Sequence, residues 1–309
     1  MAVSLVISVV GLFADQRLVT GELAWHKPLK FAISNGLYGI TLAWMLSLFP
    51  RWKRTLWWMG TFIAGALLLE TVLITYQAAR GTKSHFNLSS PLDANILLAM
   101  GVGSVVLWGV TLVIGFLLMR QRLIDRPLAW TIRIGVLLAV AGMTYGFVMV
   151  TPTPDQAAVM EATGHSPYIG AHSVGVPDGQ SALPVTGWNE VGGDLRVPHF
   201  VGIHALQVLP LLAIALQAMA ARYALLREQS TRTRLVVAVS LGYAGVLAVV
   251  SWQAFRGQAL FALDGSTVSA VGVVVVATLI AVLAILGKAK GGAEQDRSDD
   301  EDKAPSVTA

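Results

Sequence analysis

The stretch that decides the fold is residues 94–119, ANILLAMGVGSVVLWGVTLVIGFLLM, which contains no charged residue. A helix needs about 20 mainly apolar residues to cross the hydrocarbon of a bilayer, so this stretch is long enough to do so. Six other segments share its composition and roughly its length. With it, the predicted spans are residues 31–49, 56–76, 94–119, 128–150, 199–221, 235–254 and 267–286.

An eighth apolar segment covers residues 2–14 and ends at Asp15 after only thirteen residues. A secretory signal peptide is the competing interpretation of such a segment, but a signal peptide begins with basic residues. The first basic residue here is Arg17. The sequence therefore favours a short first membrane helix.

The overall composition agrees with a membrane protein. The chain has 309 residues, of which 55% are apolar and 13% charged, whereas about 25% of an ordinary soluble domain is charged. The absence of cysteine excludes disulfides, thiolate metal sites, iron–sulfur clusters and cysteine nucleophiles. We predict an all-α, polytopic membrane helix bundle with seven spans and a short N-terminal eighth, and the lipid bilayer as its main partner.

Basic residues predict the orientation, because Lys and Arg are enriched in cytoplasmic loops. Alternate connections are rich in them, so we place these connections in the cytoplasm of a cell-membrane protein, together with the C-terminus. The net charge of +4 then has a topological origin and gives no reason to expect nucleic acid as a partner. The basic residues of these connections are Arg51, Lys53, Arg54, Arg120, Arg122, Arg126, Arg222, Arg227, Arg232 and Arg234.

Two segments lie outside the predicted spans. Residues 288–309 are rich in Asp, Glu, Gly and Ser, which predicts a disordered acidic cytoplasmic tail. The outer loop 151–198 contains Thr153 and Gln156, a capping box that predicts a short helix to about residue 163. The rest of this loop is interpreted either as a lid over the bundle or as a mobile connector.

Three short stretches bring histidine and basic groups to the predicted outer face. They are WHKPLKF at 25–31, RGTKSHFN at 80–87 and GGDLRVPHF at 192–200. Positive charge on the outer side runs against the orientation rule, so it calls for another explanation. We interpret the three stretches as parts of one polar site at the outer mouth of the bundle.

The first stretch continues as a polar stripe down its helix, because the spacing of its members is 3, 4, 4 and 3 residues. Such a stripe should face a water-filled cavity or form a polar seam between helices, and the sequence leaves both open. The stripe consists of Lys27, Lys30, Ser34, Tyr38 and Thr41.

Glu70 is the only carboxylate inside a predicted long span. A charge at that depth costs a few kcal/mol unless it is paired or protonated. Lys30 or Arg80 is the expected partner. The alternatives are a structural salt bridge and a carboxyl group that relays a proton.

Metal or haem binding is a further possibility, with His85, His199 and His204 as the candidate metal ligands. His199 and His204 are five residues apart, which is roughly 140° around a helix, so they do not form a clip on one helix face. No H-E-x-x-H motif is present. The sequence assigns no cofactor.

The leading functional hypothesis is a site at the outer mouth that binds a small anionic ligand and uses His and Glu70 for proton exchange or metal binding. A transporter or channel for a small polar solute or a proton is the first alternative, and a structural or sensory membrane protein is the second. The sequence does not decide whether the protein is an enzyme. The candidate ligand-binding residues are Lys30, Glu70, Arg80, His85, Asp194, Arg196 and Gln207.

Overall fold

A computed structural model describes residues 1–48, 52–120 and 125–302. This part of the chain forms nine α-helices, one short 3-10 helix and two pairs of very short strands. In chain order the elements are α1 (Ala2–Ala14), β1 (Leu18–Val19), β2 (Glu22–Leu23), α2 (His26–Ser47), α3 (Lys53–Ala79), α4 (Pro91–Arg120), α5 (Arg126–Met149), α6 (Pro154–Thr163), β3 (Ser173–Val174), β4 (Gly193–Asp194), α7 (Arg196–Met219), the 3-10 helix Ala224–Leu226, α8 (Gln229–Phe255) and α9 (Gly265–Asp302).

Within the described ranges, six helices are long and apolar enough to cross a membrane. They are α3, α4, α5, α7, α8 and α9, and each contains the core of one predicted span. The structure therefore confirms the all-α class and the prediction of a multi-pass membrane protein.

The other two predicted spans are helical but are not among these six helices. The predicted span 31–49 corresponds to α2, whose polar stripe makes it less apolar than the six, and its residue 49 lies outside the described residues. Helix α1 has 13 residues and is therefore about 20 Å long, shorter than the roughly 30 Å of bilayer hydrocarbon. It lies beside α3, where Ser4 Oγ is 3.4 Å from Thr75 Oγ1.

Local sequence sets several helix starts. Ser90 Oγ accepts a hydrogen bond from the Asp93 N–H at the start of α4 (3.1 Å), and the Asp125 carboxylate accepts one from the Leu128 N–H at the start of α5 (3.0 Å). Thr153 and Gln156 form the predicted capping box at the start of α6. Each cap satisfies backbone donors that have no partner within the helix.

Two packing arrangements matter for the site. Helix α5 lies along α7, and α8 packs against both. Gly142 of α5 faces Gly202 of α7 so closely that a Cβ on either would lie within 3 Å of the other's Cα. A large apolar core fills the end of the bundle where α3 and α5 begin, with Met45, Ile63 and Ile132 among its buried members.

The opposite end of the bundle, where α2 and α7 begin, is covered by residues 151–195. We call this segment the lid and this end the lidded end. β3 pairs with β4 in antiparallel register, Ser173 opposite Asp194. The lid buries Ser166, Asn189 and Asp194, and its Leu195 packs with Phe86, Met149 and Ala254. The last residues of the predicted loop, 196–198, belong to α7.

The C-terminal segment was predicted to be disordered, but most of it is helical. Helix α9 continues through Asp302, so residues 288–302 of the predicted tail are helical. Extending an existing helix adds a backbone hydrogen bond per residue without a new nucleation step, which composition alone does not reveal. Residues 303–309 of the predicted tail lie outside the described residues, as do Arg51 and Arg122 of the predicted basic loops.

Candidate functional site

The polar groups at the lidded end come from five separate parts of the chain. β2, α2, α3, the α3–α4 connection and the β4–α7 junction each contribute at least one of them. We call this set the lidded-end cluster. Its members are Glu22, Lys27, Lys30, Glu70, His85, Asp194 and Arg196.

A chain of three ionisable groups lies at the centre of the cluster. Lys27 Nζ is 3.0 Å from His85 Nδ1, and His85 Nε2 is 3.9 Å from Glu70 Oε1. The side chains of His85 and Glu70 are 21% and 15% exposed. The Phe31 ring packs beside the imidazole, with 5.9 Å between ring centroids. We call Lys27, His85 and Glu70 the triad.

Burial sets the protonation of the middle member. It lowers the pKa of His85 well below the ordinary value, and the nearby Lys27 ammonium lowers it further. The imidazole is therefore neutral near pH 7. Ser84 Oγ also lies 3.1 Å from Nδ1. When Lys27 is an ammonium, which can only donate, Nδ1 accepts from it and the ring proton resides on Nε2, which faces Glu70.

Short-range interactions hold His85 in this position. The connection after α3 turns at Gly81, and Phe86 also has a left-handed backbone, with φ of 69° and 62°. The buried Asn87 side chain accepts from the N–H and Oγ of Ser89 and donates to Thr82 Oγ1. These contacts fix the loop, so the imidazole is presented to α2 and α3 rather than to solvent.

The two predicted anion-binding residues Lys30 and Arg196 are paired inside the protein. Lys30 Nζ lies 2.7 Å from Glu22 Oε2 and donates to Thr186 O of the lid at 2.9 Å. Arg196 binds the Asp194 carboxylate through two nitrogens and donates to Gly187 O of the lid. Both cations therefore hold the lid on the bundle. The expected Lys30–Glu70 pair is not formed, because the β1–β2 turn places Glu22 over Lys30.

Arg80 is engaged at the start of α4 rather than with Glu70. Its guanidinium donates to Asp93 Oδ1 at 2.6 Å and to Gln77 Oε1 at 2.5 Å, and Asp93 is only 4% exposed. Gln77 Nε2 donates to the same carboxylate oxygen. This buried network anchors α3 to α4, and the structure does not bring Arg80 together with the triad.

The remaining candidates lie along α7 and make no hydrogen bond to the triad among the described contacts. They are His199, His204 and Gln207. His199 Nδ1 is 2.9 Å from Gly142 O of α5, and His204 Nδ1 is 3.2 Å from Gln207 Oε1. Within the described residues, no three His, Asp or Glu side chains are grouped so that they could hold a metal ion. The predicted set of metal ligands, His85, His199 and His204, is thus not assembled, because each histidine has a different partner.

Below Lys30, two residues of the polar stripe, Tyr38 and Thr41, form a seam between helices together with the neighbouring Asn35. Asn35 donates to Thr71 of α3 at 3.0 Å, and Tyr38 Oη is 2.7 Å from Thr111 Oγ1 of α4. Thr41 accepts from Gln207 of α7 at 3.2 Å. Of the two interpretations left open by the sequence, these contacts support the seam.

The sequence did not assign His172 of the lid to the candidate site. The Asp178 carboxylate lies 3.1 Å from His172 Nδ1 and accepts from the His172 and Ser173 N–H groups. The His172 ring packs on Phe86 with 4.8 Å between centroids. The Pro177-Asp178-Gly179 sequence is typical of a turn and could have indicated this local structure. Nothing in the sequence showed that the turn lies next to Phe86.

The buried neutral histidines predict acid sensitivity. Burial lowers the pKa of both His85 and His172, whereas a histidine in the unfolded chain titrates near ~6.5. Below that pH the unfolded state binds more protons, so the stability contribution of these groups is present above pH ~6.5 and is lost as the pH falls. We expect each to remove up to about 1.4 kcal/mol per pH unit.

Thermal unfolding in detergent between pH ~7.5 and ~5.5 measures this effect. The double variant His85→Gln and His172→Gln should show a flatter pH dependence than the parent. His165→Gln is the matched control, because that side chain is exposed on the lid. An unchanged slope in the double variant would contradict the assignment.

Comparison of the chain with protein families, with curated proteins and with solved structures found no match. The fold and the buried cluster by themselves define the class: an all-α, multi-pass membrane protein with a cluster of polar groups under a lid at one end of its bundle.

Proposed function

We propose that this protein exchanges a proton with a small, weakly acidic ligand at the lidded end of its bundle, through Lys27, His85 and Glu70. The observation that supports this proposal is the triad itself. An amine, an imidazole and a carboxyl group from three segments of the chain lie in a row and are largely buried. Ionisable groups in such surroundings are uncommon unless they have a function.

The geometry allows a proton to move along the triad. When His85 Nδ1 takes a proton from Lys27, its Nε2 proton passes to Glu70 after a small approach across the 3.9 Å gap. The result is a neutral amine and a neutral carboxylic acid. In an apolar site this neutral state competes with the charged one, because burial penalises separated charges. The triad can thus hold its proton at either end.

Lys27 determines the class of ligand. Among the described residues, the ion pairs within 4 Å include Lys30, Arg80 and Arg196 but not Lys27. A carboxylate or similar anion beside Lys27 would stabilise its ammonium form. The same ligand as an uncharged acid would deliver its proton to the triad. This retains the anionic ligand predicted from the sequence and moves its site from Lys30 and Arg196 to Lys27.

Membrane topology completes the proposal. In addition to the six long apolar helices, α2 crosses the membrane and α1 is a short membrane helix, which gives seven full spans and a short eighth. The protein lies in the cell membrane, with the lidded end facing outward and the end of α9 in the cytoplasm. The basic residues at the other end, such as Arg54, Arg120 and Arg227, support this orientation. The chain lacks cysteine, so labelling of a Val185→Cys variant in intact cells by an impermeant maleimide tests it.

Transport has less support than an exchange site confined to one end. A transport path needs polar groups that continue toward the opposite end of the bundle. There, the largest buried cluster is apolar and includes Met45, Leu56, Ile63, Leu118 and Ile132. The buried Arg232 at that end donates to the carbonyl groups of Leu226 and Arg227 beside it. A structural or sensory role would instead depend on the tail, and loss of function on deletion of residues 291–309 would favour it.

Infrared difference spectroscopy on the purified protein in lipid nanodiscs tests the exchange. We expect a protonated-carboxyl band to change when acetate is added, and to be absent in Glu70→Gln. Lys27→Met should weaken acetate binding at least about tenfold, which corresponds to one lost charge-assisted hydrogen bond.

Lys83→Met is the matched control, because Lys83 lies over the Tyr168 ring of the lid rather than in the triad. If acetate produced the same spectrum in Glu70→Gln, or bound equally well to Lys27→Met, the triad would not be the exchange site.

A further inference from the structure

We propose a second binding site, on the membrane-facing side of α7, at which His204 Nε2 accepts a hydrogen bond from the hydroxyl group of a lipid-soluble aromatic alcohol such as a hydroquinone. This site is independent of the triad.

The first step is the tautomer of His204. Thr41 Oγ1 donates to Leu37 O at 2.8 Å, so toward Gln207 it can only accept. It accepts from Gln207 Nε2 at 3.2 Å, which turns Gln207 Oε1 toward His204 Nδ1 at 3.2 Å. Because Oε1 is an acceptor, Nδ1 carries the ring proton. Nε2 is therefore a bare acceptor.

The second step is that this acceptor has no donor. Nε2 is shielded from solvent, and no hydrogen-bond partner for it exists among the described residues. A buried polar atom without a partner is uncommon in native structures and calls for an explanation. The recorded neighbour of this ring is the apolar Phe200 ring, whereas a buried water is stabilised by two to four polar partners.

The third step is the surroundings of the imidazole. His204 shares a helical stripe with Phe200, Val208 and Leu211, which are 46%, 46% and 61% exposed. In a membrane this stripe meets lipid, so a donor for Nε2 has to arrive from the bilayer. The stripe therefore selects an apolar molecule with a hydroxyl group.

The aromatic neighbours of His204 favour an aromatic ligand over other apolar alcohols. The Phe200 ring lies 4.1 Å from the His204 ring, and Trp188 of the lid lies 5.6 Å from Phe200, both between centroids. Phe200 is half-exposed and can rotate without disturbing the core. A planar aromatic head group that displaces the Phe200 ring would take its place between His204 and Trp188, with its hydroxyl directed at Nε2.

Nitrogen NMR on the full chain, labelled at histidine and held in nanodiscs, tests the site. The probe is a short-chain alkyl hydroquinone, and its dimethyl ether is the matched control, since the ether has the same ring but no donor. We expect free His204 to be protonated at Nδ1. The hydroquinone should shift the Nε2 signal and bind about tenfold more tightly than the ether.

His204→Phe keeps a ring and removes the acceptor, so it should lower hydroquinone affinity to that of the ether, whereas His165→Phe on the lid should not. A ring proton on Nε2, equal affinities for the two probes in the parent, or no binding of the hydroquinone would each overturn the proposal. The comparison of probes in the parent needs no variant, so the test does not depend on how well a variant folds.

Discussion

Gly142→Ala is expected to destabilise the protein by about 3 kcal/mol or more. A Cβ at this position would lie 2.7 Å from Gly202 Cα and 2.7 Å from the Ile203 nitrogen. Both are backbone atoms, which cannot rotate away as a side chain can. The variant must separate α5 from α7, and this also stretches the contact between His199 Nδ1 and Gly142 O, 2.9 Å in the parent.

Thermal unfolding and the yield of folded protein in detergent measure the effect. Gly146→Ala on the same helix is the control, because a Cβ there would have nothing within 4 Å. It should be neutral or slightly stabilising, since Ala is a better helix former than Gly. Equal behaviour of the two variants would show that α5 and α7 do not cross at Gly142.

Arg80→Ala is expected to lower the free energy of unfolding by about 3 kcal/mol, because it leaves a buried carboxylate without its cation. Asp93 is 4% exposed and would keep only its uncharged donors, which come from Gln77, Ser89 and Ser90. The sequence assigned Arg80 to ligand binding, which predicts lost activity in a stable protein. The structure predicts lost stability instead.

The two explanations are separated by a second substitution. Asp93→Asn removes the buried charge, so adding it to Arg80→Ala should recover much of the lost stability. Arg17→Ala is the control, because the Arg17–Asp15 pair is at the surface, with Arg17 52% exposed, and should matter far less. A fully stable Arg80→Ala variant would return Arg80 to the list of ligand-binding candidates.

The sequence predicted the parts of the fold that depend on local properties. Uninterrupted apolar runs such as residues 94–119 satisfy the length that a bilayer imposes, and Thr153 forms the predicted capping box with Gln156, three residues away. Both signals act over a few residues, so they can be read without knowledge of the tertiary structure.

The candidate site was predicted only in part. Lys30, Glu70, His85, Asp194 and Arg196 do lie at one end of the bundle, as their positions at span ends indicated. Their pairing could not be foreseen. Lys30 pairs with Glu22, because the two-residue turn between β1 and β2 places that carboxylate closer to Lys30 than Glu70 is. Arg80 pairs with Asp93, because the buried start of α4 places that carboxylate closer to Arg80 than Glu70 is.

By itself, the sequence determined that this is an all-α membrane protein, and it predicted that three stretches with histidine and basic residues meet at one face. Only the tertiary structure decided which groups touch: Lys27 with His85 and Glu70 in one place, Thr41 with Gln207 and His204 in another. The physical reason is that bilayer insertion responds to the summed hydrophobicity of a segment. A hydrogen bond of about 3 Å, in contrast, depends on how two distant helices rotate against each other, and one helix does not encode that rotation alone.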